Sequence, residues 1–308
     1  MATLVQAPEE VVQRLQQKLQ ADDTSLPDKY RALFSLRNVE GTEATQALTT
    51  ALQDKSDLFR HDVAFCLGQR QDPSAVSILK QLVADTQQHP MVRHEAAEAL
   101  GAIADPDCLQ LLQRHAADSC QELAETCQLA LGRLAYLQQK KAAAAAAAAA
   151  EQSPYYSVDP TPALPSSTPV EELRALLLDA QAPMFERYRA LFALRNKGGE
   201  EAVAVLGEAF GTGSALLKHE VAYVMGQMQH PSSAGVLGQV LQDTREHAMV
   251  RHEAAEALGS VADAASMALL KQFARDPEPI VAHSCVVALD MLEHEASGAF
   301  EYADTGAQ

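Results

Sequence analysis

The sequence predicts an all-α protein, an α-solenoid of eight two-helix repeats in two symmetric four-repeat arcs. Three observations carry that prediction. The chain is rich in Ala, Leu, Gln and Glu, lacks Trp and has few aromatic or β-branched runs, which favours helix over strand in nearly every window. Short breaks recur at a period of about 30 residues, the mark of stacked helical hairpins. The second half also repeats the first: Met-Val-Arg-His-Glu-Ala-Ala-Glu-Ala-Leu-Gly at 91–101 returns unchanged at 249–259, displaced by 158 positions.

Residues 8–138 read as eight amphipathic helical segments, and residues 1–138 form the N-terminal arc. The segments are separated by breaks at Leu26-Pro27, Glu40-Gly41, Asp72-Pro73, His89-Pro90 and Asp105-Pro106. The second helix of each unit closes on Leu36-Arg37, Leu67-Gly68, Leu100-Gly101 or Leu131-Gly132. Residues 139–168 contain a Lys-Lys pair, nine consecutive alanines (142–150) and a Pro/Ser/Thr-rich stretch. With no amphipathic face to bury, they are expected to form a flexible linker. Residues 169–308 are expected to form the C-terminal arc. Tyr188-Arg-Ala-Leu-Phe192 repeats Tyr30-Arg-Ala-Leu-Phe34 at the same displacement, and the tail after Ser297 lacks a packing pattern.

At 308 residues and 47% hydrophobic, the chain is long and apolar enough for two packed domains. A net charge of −17 argues against nucleic acid, whose phosphates call for clustered Lys and Arg, and suits a cationic partner. The five cysteines are odd in number and form no CxxC pair, so they are expected to be reduced and mostly buried. No secretory signal is visible at the N-terminus, and no segment approaches the ~20 apolar residues of a membrane span. The cytoplasm is the expected compartment. A monomer is expected, because the pseudo-twofold is already internal.

Counting back six residues from the closing leucines gives Tyr30, His61, His94 and Glu125 in the first arc, and His219 and His252 stand at the matching places in the second. Each of the four histidines is followed by a carboxylate: His61-Asp62, His94-Glu95, His219-Glu220 and His252-Glu253. One such pair alone is best read as a solvated face, since Val-Arg-x-x-Ala-Ala-x-Ala-Leu-Gly lies close to a generic HEAT-type consensus. Four in register are different. Equivalent residues of stacked repeats share a face, with second helices ~8–10 Å apart, and adjacent residues on a helix point ~100° apart, so a His and the following carboxylate can flank one point. If the arcs face each other, four imidazoles and up to four carboxylates converge, and carboxylates in that number repel one another unless cations sit between them. A dinuclear centre fits better than one ion. Imidazole and carboxylate without thiolate suit Fe, Mn or Zn, and the residues alone do not choose among these.

Tandem four-repeat HEAT arcs with four His-carboxylate pairs, two per half and 33 positions apart, resemble the deoxyhypusine hydroxylase family over about residues 25–295. That resemblance implies a di-iron monooxygenase that uses O2 to hydroxylate the deoxyhypusine side chain of eukaryotic translation initiation factor 5A, completing hypusine. By position it implies two Fe(2+) per chain, held by His61, His94 and Glu95 of the first half and His219, His252 and Glu253 of the second. Asp62 and Glu220 would then orient the cationic amines of the substrate or support the ligands. The family has Glu in all four pairs, so Asp62 is a departure that keeps the charge and shortens the reach by one methylene.

Three other readings compete. A non-enzymatic HEAT scaffold binding a basic protein partner requires no metal, a Zn or Mn hydrolase on the same ligands turns over without O2, and a bilin-lyase-like repeat protein gives no reason for the symmetric pairs. His283, followed by Ser284, lacks a carboxylate neighbour and is read as packing or surface. His89, His230 and His247 are expected at solvated loop edges, and His115 and His294 have no symmetric partner. Tyr30 and Tyr188 are read as inter-repeat packing. The basic ladder of Arg60, Arg93, Lys218 and Arg251 is expected to pair with acids of neighbouring repeats.

Overall fold

The structure is a computed structural model and describes residues 4–143 and 153–297. These fall into two compact units, residues 4–139 with Tyr156–Pro160 and residues 140–143 and 153–155 with Thr161–Ser297. In the first unit α1 (Glu9–Gln20), α2 (Leu26–Arg37), α3 (Thr42–Thr50), α4 (Asp57–Arg70), α5 (Val76–Ala84), α6 (Pro90–Ile103), α7 (Leu109–His115) and α8 (Gln121–Ala143) follow as four consecutive pairs. The second unit repeats this with α9 (Val170–Leu178), α10 (Met184–Lys197), α11 (Gly199–Glu208), α12 (Ala215–Met228), α13 (Ser233–Gln242), α14 (Ala248–Val261), α15 (Ala264–Phe273) and α16 (Pro279–Ser297). Among the described residues the only β pairing is one bridge between Val5 and Val39. No helix of the described residues is long and apolar enough to cross a membrane.

The sequence breaks become helix N-termini. Ser25, Ser56 and Ser214 accept from the amides of Asp28, Phe59 and Leu217 at 3.2, 3.2 and 3.1 Å, each satisfying a donor the first turn leaves open. Pro27 and Pro90 lie in the first turns of α2 and α6, where a missing N–H costs nothing. His89 and His247, expected only at loop edges, have a task there: each ring Nδ1 accepts the amide two residues on, Met91 or Met249, at 3.3 Å.

The Leu-Gly endings are explained by contact between second helices. A Cβ placed on Gly68 of α4 would lie 2.8 Å from the Cα of Ala99 in α6, and one on Gly101 of α6 would lie 2.8 Å from the Cβ of Ala130 in α8. In the second unit Gly226 of α12 meets Ala257 Cα of α14 at 3.1 Å, and Gly259 of α14 meets Ala288 Cβ of α16 at 2.8 Å. Each glycine comes seven residues, two helical turns, after a histidine of the register, so glycine and histidine share the face on which successive second helices meet. The same four helices end on a non-glycine residue in the left-handed region, Gln71, Ala104, Gln229 or Ala262, at a cost of roughly 1–2 kcal/mol each. Gln71 recovers part of it by donating to the Ala102 carbonyl at 2.7 Å.

The basic ladder is structural. Arg93 donates to the Val83 carbonyl and to Asp118 at 3.1 and 3.0 Å, and Arg251 repeats this with Leu241 and Asp276 at 3.0 and 2.6 Å. Lys218 pairs with Glu246 at 2.6 Å. Arg60 departs from the expected pattern by pairing with Asp57 of its own helix. The cysteines are free thiols, four buried and Cys120 half-buried.

Within 139–168, α8 continues to Ala143, while the alanines from 144 onward lie outside the described residues, as does the tail after 297. Residues 153–168 form no helix yet are tied to the repeats. In the first unit the Val158 amide donates to Gln69 at 2.8 Å and Arg133 donates to the Asp159 carbonyl. In the second, Arg195 stacks 4.6 Å from the Tyr155 ring and donates to Ser153 at 3.0 Å, and Lys197 donates to the Ser166 carbonyl at 2.6 Å.

Gly68→Ala is expected to lower the melting temperature by several degrees. The overpacking cost, roughly 1–3 kcal/mol, outweighs the helix propensity that Ala gains. Gly235→Ala in α13, where a Cβ meets nothing within 4 Å, is expected to hold or raise it. Thermal denaturation of both variants checks the contrast, and an equal rise in both would contradict the close-contact account.

Candidate metal centre

The four histidines and their carboxylates sit in the middle two repeats of each unit, on α4 and α6 in the first and on α12 and α14 in the second. None of the eight is solvated: exposure runs from 0% at His94 and His252 to 7% at Asp62, His219 and Glu253. A polar face of a scaffold does not look like this, because burying that many ionisable groups is costly unless something compensates them.

In the first unit the His61 and His94 rings stand 5.4 Å apart, centroid to centroid. His61 Nε2 lies 3.3 Å from Glu95 Oε2, and its Nδ1 lies 2.8 Å from Asp62 Oδ1. One ligand atom from each of His61, His94 and Glu95 falls within 4.8 Å of the others. Burial alone would pull the His61 imidazole down, but the Asp62 and Glu95 carboxylates outweigh it and raise its pKa well above the usual value. A buried proton at that ring occupies the place a cation would take, and metal binding would displace it.

The second unit repeats the geometry. His219 and His252 stand 5.2 Å apart, and His219 Nε2 lies 3.3 Å from Glu253 Oε2. The structure therefore brings His61, His94 and Glu95 together in one unit, and places His219 against both His252 and Glu253 in the other.

Both oxygens of Asp62 are engaged, Oδ1 at His61 and Oδ2 by the hydroxyl of Tyr30. Tyr30 does pack between repeats, 5.3 Å from the Phe59 ring, but its hydroxyl also belongs to the site. The matching Tyr188 hydroxyl donates to the Leu216 carbonyl at 3.3 Å. The shortened side chain of Asp62 thus serves its own neighbour, His61.

Two carboxylates escaped the sequence reading. Glu98 and Glu256 follow His94 and His252 by four residues, one helical turn, and so share their faces. The signal was present in His-Glu-Ala-Ala-Glu. Burial and the nearby Glu95 carboxylate push Glu98 up to about 8. Glu256 Oε1 lies 3.5 Å from His252 Nδ1, and His252, Glu253 and Glu256 form a second group whose ligand atoms fall within 4.8 Å of one another. His115 holds Asp118 at 2.9 Å, far from this chemistry in role.

The donor set fits a metal: His61, His94 and Glu95 meet in the first unit and His252, Glu253 and Glu256 in the second, without thiolate, the combination that suits Fe, Mn or Zn. Fold and site define a class, an α-solenoid whose second helices carry paired imidazole–carboxylate groups suited to a cation. HEAT repeats match residues 12–89 and 213–290, and the PBS lyase HEAT-like repeat matches 92–118 and 186–212. The chain is 49% identical over 96% of its length to deoxyhypusine hydroxylase of Homo sapiens, covering 96% of it, and 49% identical to that of Danio rerio over 91%, covering 90%. Deoxyhypusine hydroxylase-B of Oryza sativa is 51% identical over 90% of the chain and 91% of its own length. The structure of human deoxyhypusine hydroxylase in complex with glycerol superposes with a TM-score of 0.87 at 48% identity, covering 92% of this chain and 96% of that one. The chain belongs to the deoxyhypusine hydroxylase family.

A carboxyl raised in the folded state contributes stability that is fully present below its unfolded pKa, about 4.3, and is lost as pH rises through about 8. Metal-free protein is therefore expected to lose stability between pH 5 and 8, and Glu98→Gln to flatten that decline. Melting temperatures across this range check it; parallel profiles for the two proteins would refute the assignment.

Proposed function

We propose that the chain is an iron-dependent monooxygenase. It uses O2 to hydroxylate the deoxyhypusine side chain of eukaryotic translation initiation factor 5A, with two ferrous ions per chain. The observation that carries the reading is the recurrence of the buried His/His/Glu set in both units of a chain so close to deoxyhypusine hydroxylases. Hydroxylating an unactivated CH2 is beyond acid–base catalysis by side chains, which selects iron from the metals the donors suit. Bound ferrous iron would supply the activation of O2 that this insertion needs.

The remaining work falls to the chain. His61, His94 and Glu95 would hold one ion, and His219, His252 and Glu253 the other. Asp62, bonded to His61 Nδ1 and to Tyr30, keeps the His61 ring oriented with Nε2 toward Glu95. Glu220, one residue past His219 and 4% exposed, is the carboxylate we assign to the substrate ammonium. Deoxyhypusine is a lysine extended by an aminobutyl group, a polyamine-like cation that a chain of net charge −17 draws in. The second helices give the ligands a rigid frame. The protein would work as a monomer in the cytoplasm, where free cysteines such as these persist.

His94→Ala and His252→Ala are each expected to cost one of the two irons and abolish hydroxylation, read as the mass gain of one oxygen on the substrate protein. Full iron retention in both would sink the ligand assignment. Asp62→Ala and Glu220→Ala should separate. Asp62→Ala is expected to weaken iron binding about 10- to 100-fold. Glu220→Ala should keep both irons while kcat/KM falls about 10- to 100-fold, the loss of one hydrogen bond to a charged group. Identical iron and rate profiles for the two would contradict the division of roles.

A further inference from the structure

We propose that Glu256, itself held by Ser284, is a positioning residue for His252, fixing which ring nitrogen faces the metal. The inference rests on the metal reading above and concerns residues that reading leaves unused. His252 is fully buried on α14. One turn on, Glu256 Oε1 lies 3.5 Å from His252 Nδ1, within ion-pair distance. From the next second helix, α16, the fully buried Ser284 donates its hydroxyl to the same Oε1 at 2.8 Å, and its Oγ stands 3.5 Å from Nδ1.

A neutral imidazole that ligates through one nitrogen carries its proton on the other, and a carboxylate at that second nitrogen fixes tautomer and ring orientation together. With Glu256 beside Nδ1, the proposed tautomer carries the imidazole proton on Nδ1, facing Oε1, and leaves Nε2 for the metal. Ser284 keeps the carboxylate in place, because a glutamate on a helix surface otherwise samples several rotamers. Ser284 thus gives repeat eight, which has no His-carboxylate pair, a part in the site.

The first unit solves the same problem elsewhere. There the carboxylate at an imidazole Nδ1 is Asp62, on His61, 2.8 Å away. Thr126, the counterpart of Ser284, turns its hydroxyl back to the Glu122 carbonyl of its own helix at 2.8 Å. Among the four register histidines, a carboxylate stands at Nδ1 on different repeats in the two units: on His61 of α4 in the first and on His252 of α14 in the second.

The test uses the full-length metal-free chain, titrated anaerobically with ferrous iron alone and, as a spectroscopic probe, with cobalt(II) alone. The wild type should bind two ions. Glu256→Gln should still bind two, one of them about 10- to 100-fold more weakly. Ser284→Ala should weaken the same ion to a smaller degree, and the double variant should match Glu256→Gln, because Ser284 acts only through Glu256. Ser284→Ala removes a single hydroxyl from a helix and keeps the test open should Glu256→Gln perturb folding, which the melting temperature of the metal-free variant reveals. Wild-type affinity for both ions in both variants overturns the proposal. So does a Glu256→Gln protein that takes up only one ion at any concentration, since Glu256 would then be a ligand. A wild type that binds no ion removes the proposal together with the metal reading, and is distinguished from those outcomes by the wild-type titration itself.

Discussion

The close approach of successive second helices, glycine against alanine, is the constraint on which both candidate sites depend. Glycine in a helix interior costs about 1 kcal/mol relative to alanine, yet Gly68, Gly101, Gly226 and Gly259 all occupy such positions. What they permit is backbone contact: a methyl group at any of them would fall about 3 Å from an alanine of the next helix. Two turns earlier on the same faces, that spacing leaves the imidazole pairs 5.4 and 5.2 Å apart. Helices held farther apart by larger residues would separate the rings and let water in.

The second constraint is charge. Each unit buries two imidazoles and two carboxylates from consecutive second helices, and a third carboxylate follows one turn later. Unlike charges offset part of the desolvation penalty, as the raised His61 and its contacts with Asp62 and Glu95 show. Burial and the neighbouring Glu95 carboxylate push Glu98 up to about 8, so like charge remains to be compensated there. A divalent cation is the largest local charge such a site can gain, and it reverses that balance.

Much of this was legible in the residues. The register of Tyr30, His61, His94 and Glu125 followed from counting back from the Leu-Gly endings, and the helix pairs fell where Pro, Gly and Asp interrupt the apolar pattern. Three features were not legible. The Tyr30–Asp62 bond depends on a hydroxyl reaching across one repeat, which spacing does not encode. The part played by Glu98 and Glu256 was masked because glutamate four residues after histidine is a common surface pair, and only the contacts made in the fold, such as Ser284 on Glu256, distinguish it. The ties between Gln69 and Val158, or between Arg195 and Tyr155, join residues far apart in sequence through an irregular segment whose composition reads as linker.

The two units share their imidazole spacing and differ in what steadies the rings, Asp62 with Tyr30 in one and Glu256 with Ser284 in the other. Both arrangements matter only if the chain holds iron. The most direct measurement is elemental analysis of the purified chain, beside an optical spectrum recorded before and after reduction and re-exposure to air. The account predicts close to two irons per chain and a band that returns with oxygen. A chain that holds no iron even after anaerobic loading with ferrous ion would contradict it.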